Sequence, residues 1–154
     1  MESINVAAGF LPNRTLEFPM NENEKQLAIA TACLRAAETN TKTFPEVLAM
    51  LAQAGFEGYE IDFRRGAAAY YTSCGDCVVL EMHKVGEPIG EAFDAKALQA
   101  AIREAQAQVP GYTYIGFCKK AVAAGCASYI VSLSGRRALY IGRTAETHVE
   151  LFPK

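Results

Sequence analysis

No apolar run in this chain approaches the ~20 residues that a membrane-spanning helix needs. Its first residues, Met1-Glu2-Ser3-Ile4-Asn5, carry neither a basic start nor an apolar stretch. These absences argue against a membrane anchor and against a signal peptide. Positive charge is not in surplus either. Fifteen Lys and Arg against 17 Asp and Glu leave a net charge of −2, which argues against general nucleic-acid binding. Five cysteines, an odd number at irregular spacing, do not read as a disulfide framework. They suit a reducing cytosol, so a cytoplasmic location is expected.

What is present is ordinary for a globular protein. The 154 residues are 51% apolar and 21% charged, which is enough for one domain to bury its own core. The informative feature is internal. An offset of 70 residues aligns Thr43–Met82 with Thr113–Phe152 without a gap. Identities fall at Thr43/Thr113, Ala54/Ala124, Gly55/Gly125, Tyr59/Tyr129, Ala68/Ala138, Tyr70/Tyr140 and Val79/Val149. Apolar bulk is kept at Phe44/Tyr114, Val47/Phe117, Ile61/Val131, Phe63/Leu133 and Met82/Phe152. The chain therefore reads as a tandem duplication, and divergence between the copies is where function is expected.

Each copy reads as helix, helix, then three short strands. A first helix is expected over 22–38, with Leu27, Ala30, Thr31 and Leu34 on its inner face. Thr43-x-x-Glu46 is a capping box, and Pro45 suits a first turn. Phe44, Val47, Leu48 and Leu51 follow at helical spacing, and Gly55 can take the left-handed stop. Tyr59–Phe63 alternates with a period of two, and further strands are expected at 67–72 and 77–82. The second copy repeats this, with a helix from the cap Asp94 to about Gln108, ended by Pro110-Gly111. Tyr114, Phe117, Cys118 and Ala121 mark the next helix. Its cap is weaker because Gly116 replaces the glutamate. Its strands are expected at 129–133, 137–142 and 147–152. The expected architecture is α+β: two ααβββ units with pseudo-two-fold symmetry, helices packed on antiparallel sheet, in one domain. Residues 1–20 read as an irregular arm, 21–82 as the first repeat, 83–93 as a linker and 94–153 as the second repeat. Whether the strands form one sheet or two stays open at this stage.

Four groups of residues are candidates for chemistry. Cys74-Gly75-Asp76-Cys77 has the spacing of a redox pair or half a zinc site. It falls in a predicted hairpin, and the corresponding Thr144–Thr147 has no cysteine, so a tight turn of small residues is the favoured reading and no cofactor is expected. His83, His148, Cys33, Cys118 and Cys126 are scattered and supply no second pair of ligands. Cys126, His148 and Glu150 hold the ingredients of a nucleophile, base and orienter. Cys126, however, aligns with the apolar Phe56, which favours a buried thiol.

Arg64, Arg65, Arg136, Arg137 and Arg143 cluster near predicted hairpin ends, where guanidinium and turn N–H groups can bind carboxylate or phosphate. The competing reading is solvated arginines paired with Glu60, Asp62 or Glu146. Tyr59, Tyr70, Tyr71, Tyr129 and Tyr140 suit either core edges or a pocket between the copies.

Ala124-Gly125-Cys126-Ala127-Ser128-Tyr129, Gly135-Arg136-Arg137-Ala138-Leu139-Tyr140-Ile141-Gly142-Arg143-Thr144 and His148-Val149-Glu150, with Phe44-Pro45-Glu46-Val47 and Tyr59-Glu60-Ile61-Asp62, resemble a family of small bacterial and prophage proteins. This YbcV-like family, often labelled "phage envelope protein", is a domain of unknown function. The resemblance covers roughly residues 22–153 and implies no activity and no site residues. The expected function is a non-enzymatic binding or interaction domain using the groove between the repeats and the arginine turns. A small enzyme using Cys126, or His148 with Glu150, is the alternative. The expected partner is a protein or a small anionic ligand, with a homodimer suggested by exposed edge strands.

Overall fold

The computed structural model describes residues 19–154. The arm expected over 1–20 lies almost wholly outside the described residues. Helix α1 spans Glu22–Glu38 and α2 Phe44–Gln53. Strands β1 (Phe56–Asp62), β2 (Ala67–Thr72) and β3 (Cys77–Glu81) follow. The order then repeats as α3 (Ala95–Ala107), α4 (Tyr114–Ala123), β4 (Cys126–Ser132), β5 (Arg137–Gly142) and β6 (Thr147–Leu151). The six strands form one antiparallel sheet, ordered β3-β2-β1-β4-β5-β6, and the four helices pack against it.

Local chemistry sets the helix ends. Asn21 and Thr43 form full capping boxes with Glu24 and Glu46. Thr113 accepts only from the Gly116 N–H, because glycine has no side chain to complete the box. Gly55 and Gly125 stop α2 and α4 at φ +91° and +90°. Extended backbone begins at the very next residue, so β1 and β4 start three residues earlier than the sequence pattern suggests. An irregularity between residues 56 and 58, and again between 126 and 128, hid those first residues from a strict alternation.

The inner face of α1 also differs from expectation. Gln26, Ala30, Cys33 and Leu34 are buried, and Leu27 is 48% exposed. Gln26 is drawn inward because its Nε2 donates to the carbonyl of Ala54 at the end of α2. That bond satisfies a helix-end acceptor with a side chain that hydropathy alone places outside.

The central pairing joins β1 to β4, with Tyr59 opposite Val131, Glu60 opposite Ile130 and Ile61 opposite Tyr129. Two rows of side chains cross the helix-covered face. One runs Val78, Tyr70, Tyr59, Val131, Ala138, Glu150. The other runs Leu80, Ala68, Ile61, Tyr129, Tyr140, His148. Leu51, Ile61, Leu98, Val122 and Val131 are fully buried beneath the helices. On the opposite face Val79, Ile130 and Val149 are exposed, at 65%, 37% and 47%.

Residues 83–93 connect the halves by a packed path rather than a free loop. Gly90 N–H donates to the Val122 carbonyl and Asp94 N–H to the Ala124 carbonyl. No helix among the described residues is long and apolar enough to cross a membrane.

Candidate functional site

Between the sheet and helices α1, α2 and α3 lies a cavity of about 840 Å³. That volume falls in the range of small-molecule sites. Val131 and Ala138 form its floor, and Tyr59, Tyr70, Tyr129 and Tyr140 stand around them. Tyr112, Tyr114, Ile102 and Leu48 close it from the helix side.

The space has a local cause in side-chain size. In α4, Phe117 packs its ring against Tyr129 and Tyr140, with centroids 6.4 Å away in each case. The corresponding residue of α2 is Val47, and the cavity opens beside Val47, Tyr59 and Tyr70. An isopropyl group leaves space that a phenyl ring fills.

The tyrosines form one aromatic cluster. Tyr59 and Tyr70 lie 5.4 Å apart, Tyr129 and Tyr140 5.2 Å, and Tyr59 and Tyr129 6.5 Å. The hydroxyls of Tyr114 and Tyr129 share a 2.6 Å hydrogen bond. Among the described residues no sealed polar side-chain atom lacks a partner. The hydroxyls of Tyr59, Tyr70 and Tyr140 have no hydrogen-bond partner among those residues, so they open onto the cavity they line. Burial is the main cause that pushes all four of these strand phenols, and Tyr114, above their ordinary value of 10.0. Tyr112 is pushed up to about 12 by burial, with Cys118 adding to it. The walls are therefore neutral hydrogen-bonding groups on an apolar frame.

At one margin a carboxylate meets two polar partners. His148 Nε2 lies 3.1 Å from Glu150 Oε2, and Gln106 Nε2 lies 3.4 Å from Glu150 Oε1. The ring of His148 sits 6.4 Å from that of Tyr140. Glu150 lines the cavity with its side chain 22% exposed. At the corresponding positions on β3 stand Val78 and Leu80.

The candidate arginines are separated by the sheet. Asp62 lies beside Ser128 and Gly58 beside Ser132, so the β1–β2 and β4–β5 turns sit at opposite ends. Arg64 and Arg65 donate backbone N–H groups to Asp62 Oδ1, and the Arg65 guanidinium lies 3.5 Å from Asp62 Oδ2. Arg143, at that same end, donates to the Ile89 carbonyl. Arg137 Nε donates to the Gly135 carbonyl in its own turn. Arg136 lines the cavity, and its Nη2 donates to the Pro153 carbonyl at 2.8 Å. Its φ of +50° is the conformation that Gly66 takes in the sibling turn. Tyr71 projects from the other face of the sheet, 3.5 Å from Glu60.

Cys74, in the β2–β3 turn, and Cys77, the first residue of β3, are both exposed. Among the described residues no group of three or more His, Cys, Asp or Glu gathers there or elsewhere. Cys126 is fully buried, with its Sγ 3.2 Å from the Ser128 carbonyl. Burial pushes its thiol up to about 12, against the lowering effect of contacts to the Ile141 and Ser128 backbone. It pairs in register with Gly142, whereas His148 pairs with Tyr140 and bonds Glu150. The structure thus unites His148 and Glu150 and leaves Cys126 apart.

A thiol titration measures this separation. Cys33 and Cys118 are also buried with raised pKa, the latter to about 12. A neutral-pH disulfide reagent is expected to modify two thiols of the native protein quickly and the other three only on unfolding. Rapid native modification of Cys126 would restore it as a nucleophile.

Comparison with known families decides the classification. The family described as a protein of unknown function (DUF1398) matches residues 35–150. The chain belongs to this family. No curated protein matches it. The DUF1398 match takes in α2, α3, α4 and all six strands but for Leu151, together with most of the cavity floor and walls. Of the residues that line the cavity, the sequence names the four strand tyrosines for a pocket and Glu150 for a catalytic set, and does not single out Tyr112, Tyr114 or Gln106 as site residues. The difference between Phe44 and Tyr114 at aligned positions was the available signal, because Tyr114 carries a hydroxyl and Phe44 does not.

Proposed function

We propose that this DUF1398 protein is a non-enzymatic binding domain whose small-molecule ligand sits in the cavity between the helices and the sheet. The observation that carries this reading is the 840 Å³ cavity itself, with apolar walls and three tyrosine hydroxyls open to it. Leaving so much space unfilled forgoes packing that would stabilise the fold. A ligand that fills it recovers those contacts.

The proposal includes a duplicated origin. Seventy residues separate α2 from α4 and each strand of β1–β3 from its counterpart in β4–β6, with matching lengths. Glu60 pairs with its own counterpart, Ile130, at the centre of the sheet. These matched registers support a pseudo-two-fold arrangement, and the cavity lies where the halves differ in filling. The YbcV-like resemblance is kept as part of this proposal without any activity attached. A small enzyme is the second reading, and it rests on the His148–Glu150 pair at the cavity margin.

The test uses Nile red, a neutral planar dye that brightens in apolar sites. Bright, saturable binding is expected for the native protein. Ala138→Trp fills the floor and is expected to weaken binding at least about tenfold while the far-ultraviolet circular dichroism is retained. Equal dye binding by the variant, or none by the native protein, overturns the cavity as the site.

A further inference from the structure

Glu150 stands out against the rest of the inner face. Of the six residues in each cross-strand row, four match their counterparts in kind: tyrosine with tyrosine twice, alanine with alanine, Ile61 with Val131. The two at the ends of the row do not. His148 and Glu150 stand where the other half carries Val78 and Leu80. The fold accommodates an apolar pair at that place, so the carboxylate is not a requirement of the architecture. Placing it beside an apolar cavity costs desolvation that a valine and leucine would not.

The charge balance of the cavity singles out the same group. Among the described residues four charged ones line it: Lys42, Glu46, Arg136 and Glu150. Lys42 and Glu46 pair with each other at 3.9 Å near the surface. Arg136 spends its guanidinium on the Pro153 carbonyl. Glu150 is held by an imidazole and an amide, and among the described residues no lysine or arginine lies within ion-pair distance of it. On the neighbouring strand stands the ring of Tyr140, which packs on that of Tyr129, and such ring faces attract cations. A carboxylate and aromatic faces on one side of an apolar cavity favour the same ligand feature.

We infer that the ligand is an organic amine, an aromatic or apolar body carrying a cationic nitrogen, with the nitrogen held at Glu150 and the body among the tyrosines. This rests on the cavity reading above. It departs from the anionic ligand that the arginine turns suggest, because those arginines are dispersed to opposite ends of the sheet and the guanidinium groups of Arg65, Arg136, Arg137 and Arg143 bond Asp62 or backbone carbonyls. His148 and Gln106 act as positioning residues that fix the carboxylate's orientation.

Three probes of one size separate the possibilities: tryptamine (cationic), indole-3-ethanol (neutral) and indole-3-acetate (anionic), titrated by calorimetry or amide chemical shifts. Tryptamine is expected to bind about tenfold tighter than indole-3-ethanol, as one charge-assisted hydrogen bond provides. Indole-3-acetate is expected to bind weakest. Glu150→Gln is expected to bring tryptamine level with indole-3-ethanol while leaving the neutral probe unchanged. Glu150→Leu, which places at β6 the residue already tolerated at β3, gives the same reading should the glutamine variant fold poorly. Equal binding of the three probes to the native protein, or a tryptamine preference that survives both substitutions, overturns the amine inference and leaves the cavity standing. Failure of all three probes together with Nile red removes the cavity reading, and the inference with it.

Discussion

Raising the pH above about 10 is expected to unfold this protein steeply, and to do so in one cooperative step. Tyr59, Tyr70, Tyr129 and Tyr140 are each less than 8% exposed, and burial raises the pKa of every one above 10.0. In the unfolded chain these phenols ionise at their ordinary value, while the folded chain keeps them protonated. The folded state therefore binds more protons than the unfolded state above that pH. The stabilisation is complete below the unfolded value and is lost as the pH rises toward the folded one. Each such group removes about 1.4 kcal/mol per pH unit, so four remove roughly 6 kcal/mol per unit. Against a typical stability of about 5–15 kcal/mol, one to three pH units suffice. Tyrosinate absorbance and circular dichroism should change together, apart from Tyr71 on the outer face, whose phenol is also raised by partial burial and by Glu60. Ionisation of all the tyrosines with the dichroism intact would show that the cluster is wet rather than buried. A bound ligand in the cavity should move the transition to higher pH.

The second large effect separates two glycines that share one backbone conformation. Gly55 and Gly125 have φ of +91° and +90°. Around Gly55 an added Cβ would meet only the Gln26 Nε2, at 3.8 Å. At Gly125 it would stand 2.3 Å from the Ala92 carbonyl oxygen and 3.1 Å from the Phe93 Cα. Gly55→Ala is therefore expected to cost only left-handed strain, about 1–2 kcal/mol. Gly125→Ala adds a backbone collision that the linker can relieve only by leaving its place, and is expected to cost about 4 kcal/mol or more. For a chain of this size that gap corresponds to a melting temperature lower by about 5–10 °C in Gly125→Ala than in Gly55→Ala. Urea unfolding of the two variants checks it. Equal costs would mean that residues 83–93 do not press on the α4–β4 junction.

That contrast also shows where sequence reading stops. Both glycines were recognisable as helix stops from the apolar spacing before them. Only the chain path makes one of them a packing constraint, since Ala92 and Phe93 arrive from a linker with no periodicity to read. Leu27 is a similar case. Its hydropathy places it inside, yet α1 packs with Gln26 inward, its Nε2 donating to the Ala54 carbonyl, and leaves Leu27 exposed. Tyr71 and Tyr70 are neighbours with equal composition, and strand alternation sends one to each face.

Local information determined the element order, the capping boxes at Thr43 and the weaker cap at Thr113, the glycine stops, and the strand tyrosines. Each depends on residues within a turn or two of one another, and short-range sterics and hydrogen bonding settle them. Long-range packing decided the remainder. Pairing of β1 with β4 made one sheet instead of two, and its antiparallel register sent the arginine turns to opposite ends. The difference between Val47 and Phe117 became a cavity only once both helices lay on the same sheet. Glu150 became a cavity residue for the same reason: a two-residue period fixes which face a side chain takes, but only the assembled layers decide what it faces.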